Sequence, residues 1–513
     1  MGRTRRTGIV VYSGNDKGWN THTSIPELDP AFSTETLNMV VDQRGNIKFR
    51  NGYTTIGTDL SANILSMDEF ITSAGIVEII YATDTGILFR YNETTNVVTQ
   101  LTTGLPTGRR YYMANYRNRI IVATRSTPKV YDGSTVADLG GSPPSFSYVA
   151  THNFRLFGLV NEDRRRIYAS ALNNEASWNT TGFPSVAASD PAIIEIGNVL
   201  PAADEIVSLA SSGNLLVVMC KQHIILFDVP TDITGTSVIK VISGQGIVAP
   251  DAHIGIGTDR LIWTQYGVKA LSNLITQEDA ELPNDNVSKN IDNELADRWE
   301  FVKDETLRDY ISMTHHKSKS WAVMNYPIEN EDLSTFDMPI YNYQRDIRAW
   351  THWRHDKPFY VIHGSSSGRL YGGIDGFLCR LDNGLSDNGS NISFIWAKAP
   401  LYLSNGQTNK MPRYLKIVIQ HNTTFTVDMR LIYDFSALAA QQITDSILLQ
   451  ETGSQWDEAQ WDVDLWDSSG RTITLKPIRG RGISVQPIFS YTGKDKELTY
   501  EFLSFEFKTG GRK

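Results

Sequence analysis

The residue run best equipped for chemistry is Trp456-Asp457-Glu458-Ala459-Gln460-Trp461-Asp462-Val463-Asp464-Leu465-Trp466-Asp467. Three indoles recur every fifth residue among five carboxylates, with no base between them. Such a strip suits docking, because Trp is enriched at the centres of interfaces. Trp456, Trp461 and Trp466 are therefore the candidate assembly residues. The alternative is a looped strand that buries the same indoles in its own domain. An EF-hand is excluded, since its invariant Gly and closing Glu are out of place. Trp-Asp pairs every five residues also differ from the one-per-blade spacing of WD40 repeats.

Other combinations fall short of a reacting centre. Gly364-Ser365-Ser366-Ser367-Gly368 has the spacing of a nucleophile elbow, which needs a strand before it and a helix after it. Here Arg369-Leu370-Tyr371 reads on as strand, which predicts a hairpin turn. His315-His316 lacks the four-residue spacing and the Glu of a zinc helix. Gly255-Ile256-Gly257 lacks the third glycine and the following helix of a dinucleotide site. A phosphate-binding Gly-x-x-x-x-Gly-Lys loop is missing, as are sialidase-type Asp boxes. Two cysteines, Cys220 and Cys379, cannot form a disulfide scaffold or a four-thiolate zinc site, and read as small buried hydrophobes. No catalytic residue, cofactor site or metal site is assigned, and the expectation is a protein that is not an enzyme.

The elements that would carry these residues are strands. At 513 residues the chain is long enough for two or three packing units. Hydrophobic residues at 41% and charged residues at 20% are a globular balance, and aromatics at 10% favour pleated surfaces. A formal net charge of -9 argues against tight electrostatic grip on nucleic acid, and leaves room for a wall that DNA slides past. The opening Met1-Gly2-Arg3-Thr4-Arg5-Arg6 is followed by an apolar run too short for a signal-peptide core. No stretch approaches the ~20 apolar residues that span a bilayer, so a soluble chain without a membrane span is expected. The basic ends, Arg3/Arg5/Arg6 and Lys508/Arg512/Lys513, read as solvated tails or as a grip on phosphate.

One strand-turn-strand unit recurs. It is seen at Val77–Tyr81 with Ile87–Tyr91, at Asn118–Ala123 with Val130–Gly133, and at Asn153–Leu159 with Arg166–Ala169. It returns at Gly213–Val218 with His223–Phe227 and at Asp259–Trp263 with Val268–Leu271. The last two begin at Ser320–Met324 and at Gly368–Tyr371. Asn, Asp and Gly at the turns reach the positive φ that tight hairpins require. The spacing is uneven but stays near the ~40–50 residues of a propeller blade. A ring of blades buries every face that a lone four-stranded sheet leaves open. A β-propeller of six or seven irregular blades over residues 61–382 is therefore predicted, in preference to an array of sandwiches. Val287, Ile291, Leu295 and Trp299 lie four apart and predict one short inserted helix near 286–299. A Gly/Asn/Ser/Asp-rich linker near 382–390 precedes alternating strands, which predict a sandwich-like β domain over 391–513. Residues 1–60 are assigned to an amino-terminal arm and the first strands that close the propeller.

Several of these segments carry a resemblance. Thr36–Tyr53, ending Arg50-Asn51-Gly52-Tyr53, resembles the amino-terminal signature of tail-nozzle and packaged-DNA-stabilisation proteins of short-tailed bacteriophages, the podoviruses. Tyr168–Ala171 with Ala176–Asn179, Gly244–Pro250, Tyr341–Trp350 and the Trp456–Asp467 run are similar to further stretches of that family, in order along the chain. The family's Arg-Pro-Gly-Tyr is here Arg-Asn-Gly-Tyr, a departure at Asn51. The resemblance implies a virion structural protein that is made and assembled in the host cytoplasm and ends in the tail. It implies a ring homo-oligomer, hexameric in the family, forming a nozzle or hub below the portal-adaptor ring. Such a ring continues the double-stranded DNA channel, holds packaged DNA until ejection, and offers attachment to tail fibre, spike or needle proteins. The alternatives are a glycan-binding or glycan-cleaving propeller, which needs two carboxylates ~5–10 Å apart at the axis, and an intracellular scaffold of the WD40 or kelch sort.

Overall fold

The computed structural model describes residues 7–12, 16–179, 187–197, 199–200, 204–276, 286–301, 305–328, 333–344, 347–403, 409–436, 442–450 and 471–509. The chain is all-β and divides into two compact units. One holds Thr55–Asp337 and Lys357–Leu381, the other Met1–Thr54, Met338–Asp356 and Asp382–Lys513.

The unit of Thr55–Asp337 and Lys357–Leu381 is a β-propeller. Its first sheet is a meander of Ile64–Ile71, Val77–Thr83, Leu88–Asn92 and Val97–Thr102. Three more four-stranded meanders follow, opening with Tyr112–Tyr116, Phe146–His152 and Ile206–Ser212. The fifth has three strands, His253–Ile256, Asp259–Thr264 and Gly267–Ala270. A sixth begins with Ser312–His316 and Trp321–Pro327. A seventh runs Val361–Gly364, Leu370–Gly373 and Leu378–Leu381, and Thr55 and Ile56 bring the strand Tyr53–Ile56 into it. The turns explain the meander. Arg117 and Asn118, and again Asn153 and Phe154, hold positive φ at both central positions, the geometry of a two-residue hairpin whose twist matches its strands.

What closes the ring is face-to-face packing of successive sheets. Ile80 and Leu88 of the first sheet share a core with Ile120, Val122 and Tyr131 of the second. Ile121 and Ala123 pack against Phe146 and Leu156 of the third, and Phe157 and Ile167 of the third pack against Leu216, Val218 and Phe227 of the fourth. Ile64, Ile79 and Tyr81 of the first sheet meet Val361, Tyr371 and Leu378 of the seventh, so the last sheet joins the first. Each such side chain contributes about 1.5–3 kcal/mol on leaving water. Between the fourth and fifth sheets Ser208 Oγ and His253 Nε2 are hydrogen-bonded at 2.9 Å. Seven sheets fix the blade number that the repeat spacing left at six or seven.

A helix, Asp292–Phe301, follows the fifth sheet after a 3-10 turn at Lys289–Ile291. Ile291 and Leu295 are buried, as a face four residues apart demands. Two shorter helices, Leu271–Thr276 and Glu305–Arg308, flank it.

The other unit is a sandwich of two six-stranded antiparallel sheets. One sheet runs through Met39–Val41, Ile47–Phe49, Leu498–Thr509, Lys410–His421 and Arg471–Pro477, with Thr7–Val11 beside Leu498–Thr509. Its partner runs through Ser33–Glu35, Ile392–Lys398, Ser484–Gly493, Phe425–Tyr433 and Gln442–Leu449, with Leu401–Tyr402 beside Ser484–Gly493. Along Phe425–Tyr433 buried and exposed residues alternate, the period-two pattern of a strand with one dry face. Leu415, Ile417, Leu503 and Phe505 from one sheet and Trp396, Val427, Met429 and Phe489 from the other fill a single core. The hairpin of Met338–Asn342 and Ala349–Trp353 also belongs to this unit, with Tyr341 opposite Trp350 and their rings stacked at 4.9 Å.

Candidate functional site

Trp456, Trp461 and Trp466 lie outside the described residues. The other segments singled out by sequence have plain structural roles. Ser365–Gly368 is the turn between Val361–Gly364 and Leu370–Gly373, with Gly368 N–H donating to Ser365 O at 3.0 Å. His315 and His316 are strand neighbours in Ser312–His316, and the His316 ring meets the Trp321 ring edge-on. Cys220 and Cys379 are buried and unbridged, and burial pushes the Cys220 thiol far up. Among the described residues no group of three or more His, Cys, Asp or Glu side chains could hold a metal, and no helix is long and apolar enough to cross a membrane.

Two arrangements stand out instead. The first is a cavity of about 340 Å³ at the propeller axis, lined from the opening strands of the first, second, third, fifth, sixth and seventh sheets. Asp68, Glu69 and Asp251 supply three carboxylates, and Arg110 and Lys317 two cations. Arg110 pairs with Asp251 and also donates to the carbonyls of Asp309 and Ile311, at 2.8 and 3.1 Å. Glu69 accepts the Ser366 N–H.

Asp68 is held differently. Its carboxylate accepts only its neighbour's N–H, from Glu69 at 2.7 Å, and lies 4.0 Å from His363 Nδ1. Burial, then the charges of Asp251 and Glu69, push its pKa up to about 7 against that one hydrogen bond. His363 is no counter-ion, because burial and then Lys317 lower it to about 4. His253 is neutral too, lowered by burial and then by Arg260. Arg260 Nη1 donates to His253 Nδ1 at 2.7 Å, so the ring proton sits on Nε2 and points to Ser208 Oγ. His315 is likewise lowered, first by burial.

The second arrangement is a buried arginine latch in the sandwich unit. The Arg50 side chain is fully buried and grips Asp387 through two hydrogen bonds, Nη1 to Oδ1 at 2.8 Å and Nη2 to Oδ2 at 2.7 Å. Its Nε donates to Asn38 Oδ1 at 2.8 Å, and its remaining protons reach the carbonyls of Asn51 and Arg354. The Trp353 ring lies 5.7 Å from the guanidinium. Gly52 is required by close approach, since a Cβ there would lie 1.8 Å from Ser386 O. Tyr53 donates its hydroxyl proton to Asp356 at 2.9 Å. Asn51, the position that departs from the family's proline, donates its side-chain amide to Asp382 at 2.9 Å. Burial works against the Asp387 anion, but His355 and Arg50 outweigh it and hold the carboxyl well below the usual range. Sequence signals pointed to Arg50, Gly52 and Tyr53 but not to Asp387, 337 residues away.

No protein-family model matches the chain. No curated protein matches it either. Among solved structures, U3-55K is similar at 10% identity and a TM-score of 0.38, over 64% of this chain and 98% of that one. YCF48 bound to D1 peptide is similar at 11% identity and a TM-score of 0.37, over 65% of this chain and 95% of that one. The extracellular domain of the hybrid two-component system BT4673 from B. thetaiotaomicron is similar at 10% identity and a TM-score of 0.32, over 85% of this chain and 46% of that one. At these identities and scores nothing about activity or partners transfers to this chain.

Proposed function

We propose that the chain is a structural subunit of a short-tailed bacteriophage tail. In this reading it forms a ring, hexameric as in the family it resembles, below the portal-adaptor. The ring continues the DNA channel and retains packaged DNA until ejection. The observation that carries the reading is the Arg50–Tyr53 latch. The segment with the strongest resemblance supplies a buried ion pair through Arg50 and a close backbone approach at Gly52 in the sandwich unit. Duplex DNA is not assigned to the propeller axis, where the cavity of about 340 Å³ is of small-ligand size. The channel is therefore assigned to the centre of the ring of subunits. A net charge of -9 suits a wall that does not grip phosphate. The test is native mass spectrometry of the full chain mixed with the purified portal-adaptor complex of its phage. A complex carrying one closed ring of copies is expected; failure to bind the adaptor under conditions that bind other tail proteins contradicts it.

A second reading, a glycan-cleaving propeller, is favoured by one observation. Asp68 and Asp251 share the axial cavity in unlike environments, one without a cation and one on Arg110. Incubation with envelope polysaccharide, followed by mass spectrometry of released fragments, separates the two. Fragment release that Asp68→Asn abolishes would replace the structural reading.

A further inference from the structure

The axial cavity has a charge imbalance with a shape to match. Its three carboxylates face only Arg110 and Lys317, and Arg110 is committed to Asp251. The histidines on its wall, His253, His315 and His363, do not make up the difference, since all three are driven toward the neutral form. With Asp68 ionised, the lining carries three carboxylates against two cations, and among the described residues no Lys or Arg lies within ion-pair distance of Asp68. The Asp68 side chain is 26% exposed, so a ligand in the cavity can reach it. The rest of the wall is mostly polar, with Met67, Met113 and Met313 adding apolar, adaptable surface on strands of three different sheets. The Tyr148 ring adds a π face.

We propose that the propeller axis is a binding site for a protonated aliphatic amine, with its ammonium on the Asp68 carboxylate and its methylenes against the three methionines. The size suits it, since small-ligand pockets begin at about 300 Å³. A bare metal ion is a poorer fit, because among the described residues no group of three or more His, Cys, Asp or Glu side chains could hold one. An anion meets the surplus negative charge. The chemistry is the same whether the ammonium belongs to a free polyamine or to a lysine side chain, and the test has an arm for each.

Binding is coupled to the charge on Asp68. The carboxyl takes up a proton near neutrality, so the amine must displace it below about pH 7. The titratable and charged groups lining the cavity with Asp68 include Glu69 on its own strand, Arg110 and Tyr112 by the second sheet, Tyr148 on the third, Asp251 and His253 by the fifth, His315 and Lys317 by the sixth, and His363 on the seventh. The lowered pKa values of His253 and His363 keep both rings neutral from pH 6 to 8, and His315 is lowered in the same direction.

The experiment is calorimetric and ligand-observed NMR titration of the full chain with 1,4-diaminobutane and, separately, with Nα-acetyl-lysine methylamide, at pH 8 and pH 6. 1-Butanol serves as the uncharged control. Saturable binding of one or both amines at pH 8 is expected, with no binding of 1-butanol. Affinity should fall about tenfold at pH 6, and at least tenfold in Asp68→Asn at pH 8. The tighter of the two amines identifies the source. Asp68→Asn keeps the side chain's size and removes a charge that burial disfavours, and its melting temperature checks that it folds. Should it not fold, Met113→Lys, which tethers an ammonium in the same cavity, is expected to abolish amine binding. No binding of either amine at pH 8, equal binding by the Asn variant, or equal binding of 1-butanol would overturn the proposal. None of these outcomes depends on the tail assignment.

Discussion

The Arg50 side chain is fully buried, and its guanidinium protons go to Asp387, Asn38 and the carbonyls of Asn51 and Arg354. Burying such a pair is costly, and removing one partner strands the other. Arg50→Met is therefore expected to lower unfolding stability by about 3–5 kcal/mol, read by urea denaturation. Gly52→Ala should cost as much or prevent folding, since the Ser386 carbonyl occupies the space. The two carboxylates at these sites have opposite pH signatures. Asp387 is held below its unfolded value, so its contribution is complete above about pH 4 and lost as pH falls through its folded value. Asp68 is raised to about 7, so the native state holds a proton the unfolded chain has released. Stability should then decline as pH rises from about 4 to 7, by at most about 1.4 kcal/mol per unit, and level off above. Asp68→Asn should abolish that slope and raise the melting temperature at pH 8. A wild-type profile that is flat from pH 4 to 7 would remove the buried-carboxyl account.

At the level of elements, the repeat detected in the sequence falls on the second strand of every one of the seven sheets: Val77–Thr83, Arg119–Ala123, Arg155–Val160, Leu215–Cys220, Asp259–Thr264, Trp321–Pro327 and Leu370–Gly373. These strands are covered on both faces by neighbouring sheets, so they read as unbroken apolar runs with turn residues beside them. The opening strand of each sheet is not so legible. In Ile64–Ile71 one edge of the pattern faces the axis, and Ser66, Asp68 and Glu69 interrupt the apolar run. The candidate cavity is built from just these strands, which is why its carboxylates passed unnoticed among the chain's other Asp and Glu residues. The latch was half legible: the resemblance marks Arg50 to Tyr53, but an acceptor brought from residue 387 leaves no local trace. The inserted helix was legible because its anchors recur every fourth residue. With Leu295 buried, Leu295→Ala is expected to cost about 2–5 kcal/mol and to speed amide exchange in Asp292–Phe301 first. Unchanged exchange there would mean that the helix is not held by that face.

For the whole molecule, the propeller and the sandwich are fixed by strand order and core, whereas the tail assignment rests on a resemblance and on the architectural weight of the residues that carry it. Circular closure is familiar in proteins that bind, cleave or merely support, so the fold leaves all three open. Assembly separates them, because a tail subunit must appear as identical copies around one axis. The most direct measurement is cryo-electron microscopy of the native phage particle at a resolution that traces side chains. Density for this chain, with Arg50 against Asp387 and seven sheets per copy, is predicted in a ring on the tail axis next to the adaptor. Its presence in the capsid shell or off the axis, or its absence from the particle, would contradict the account.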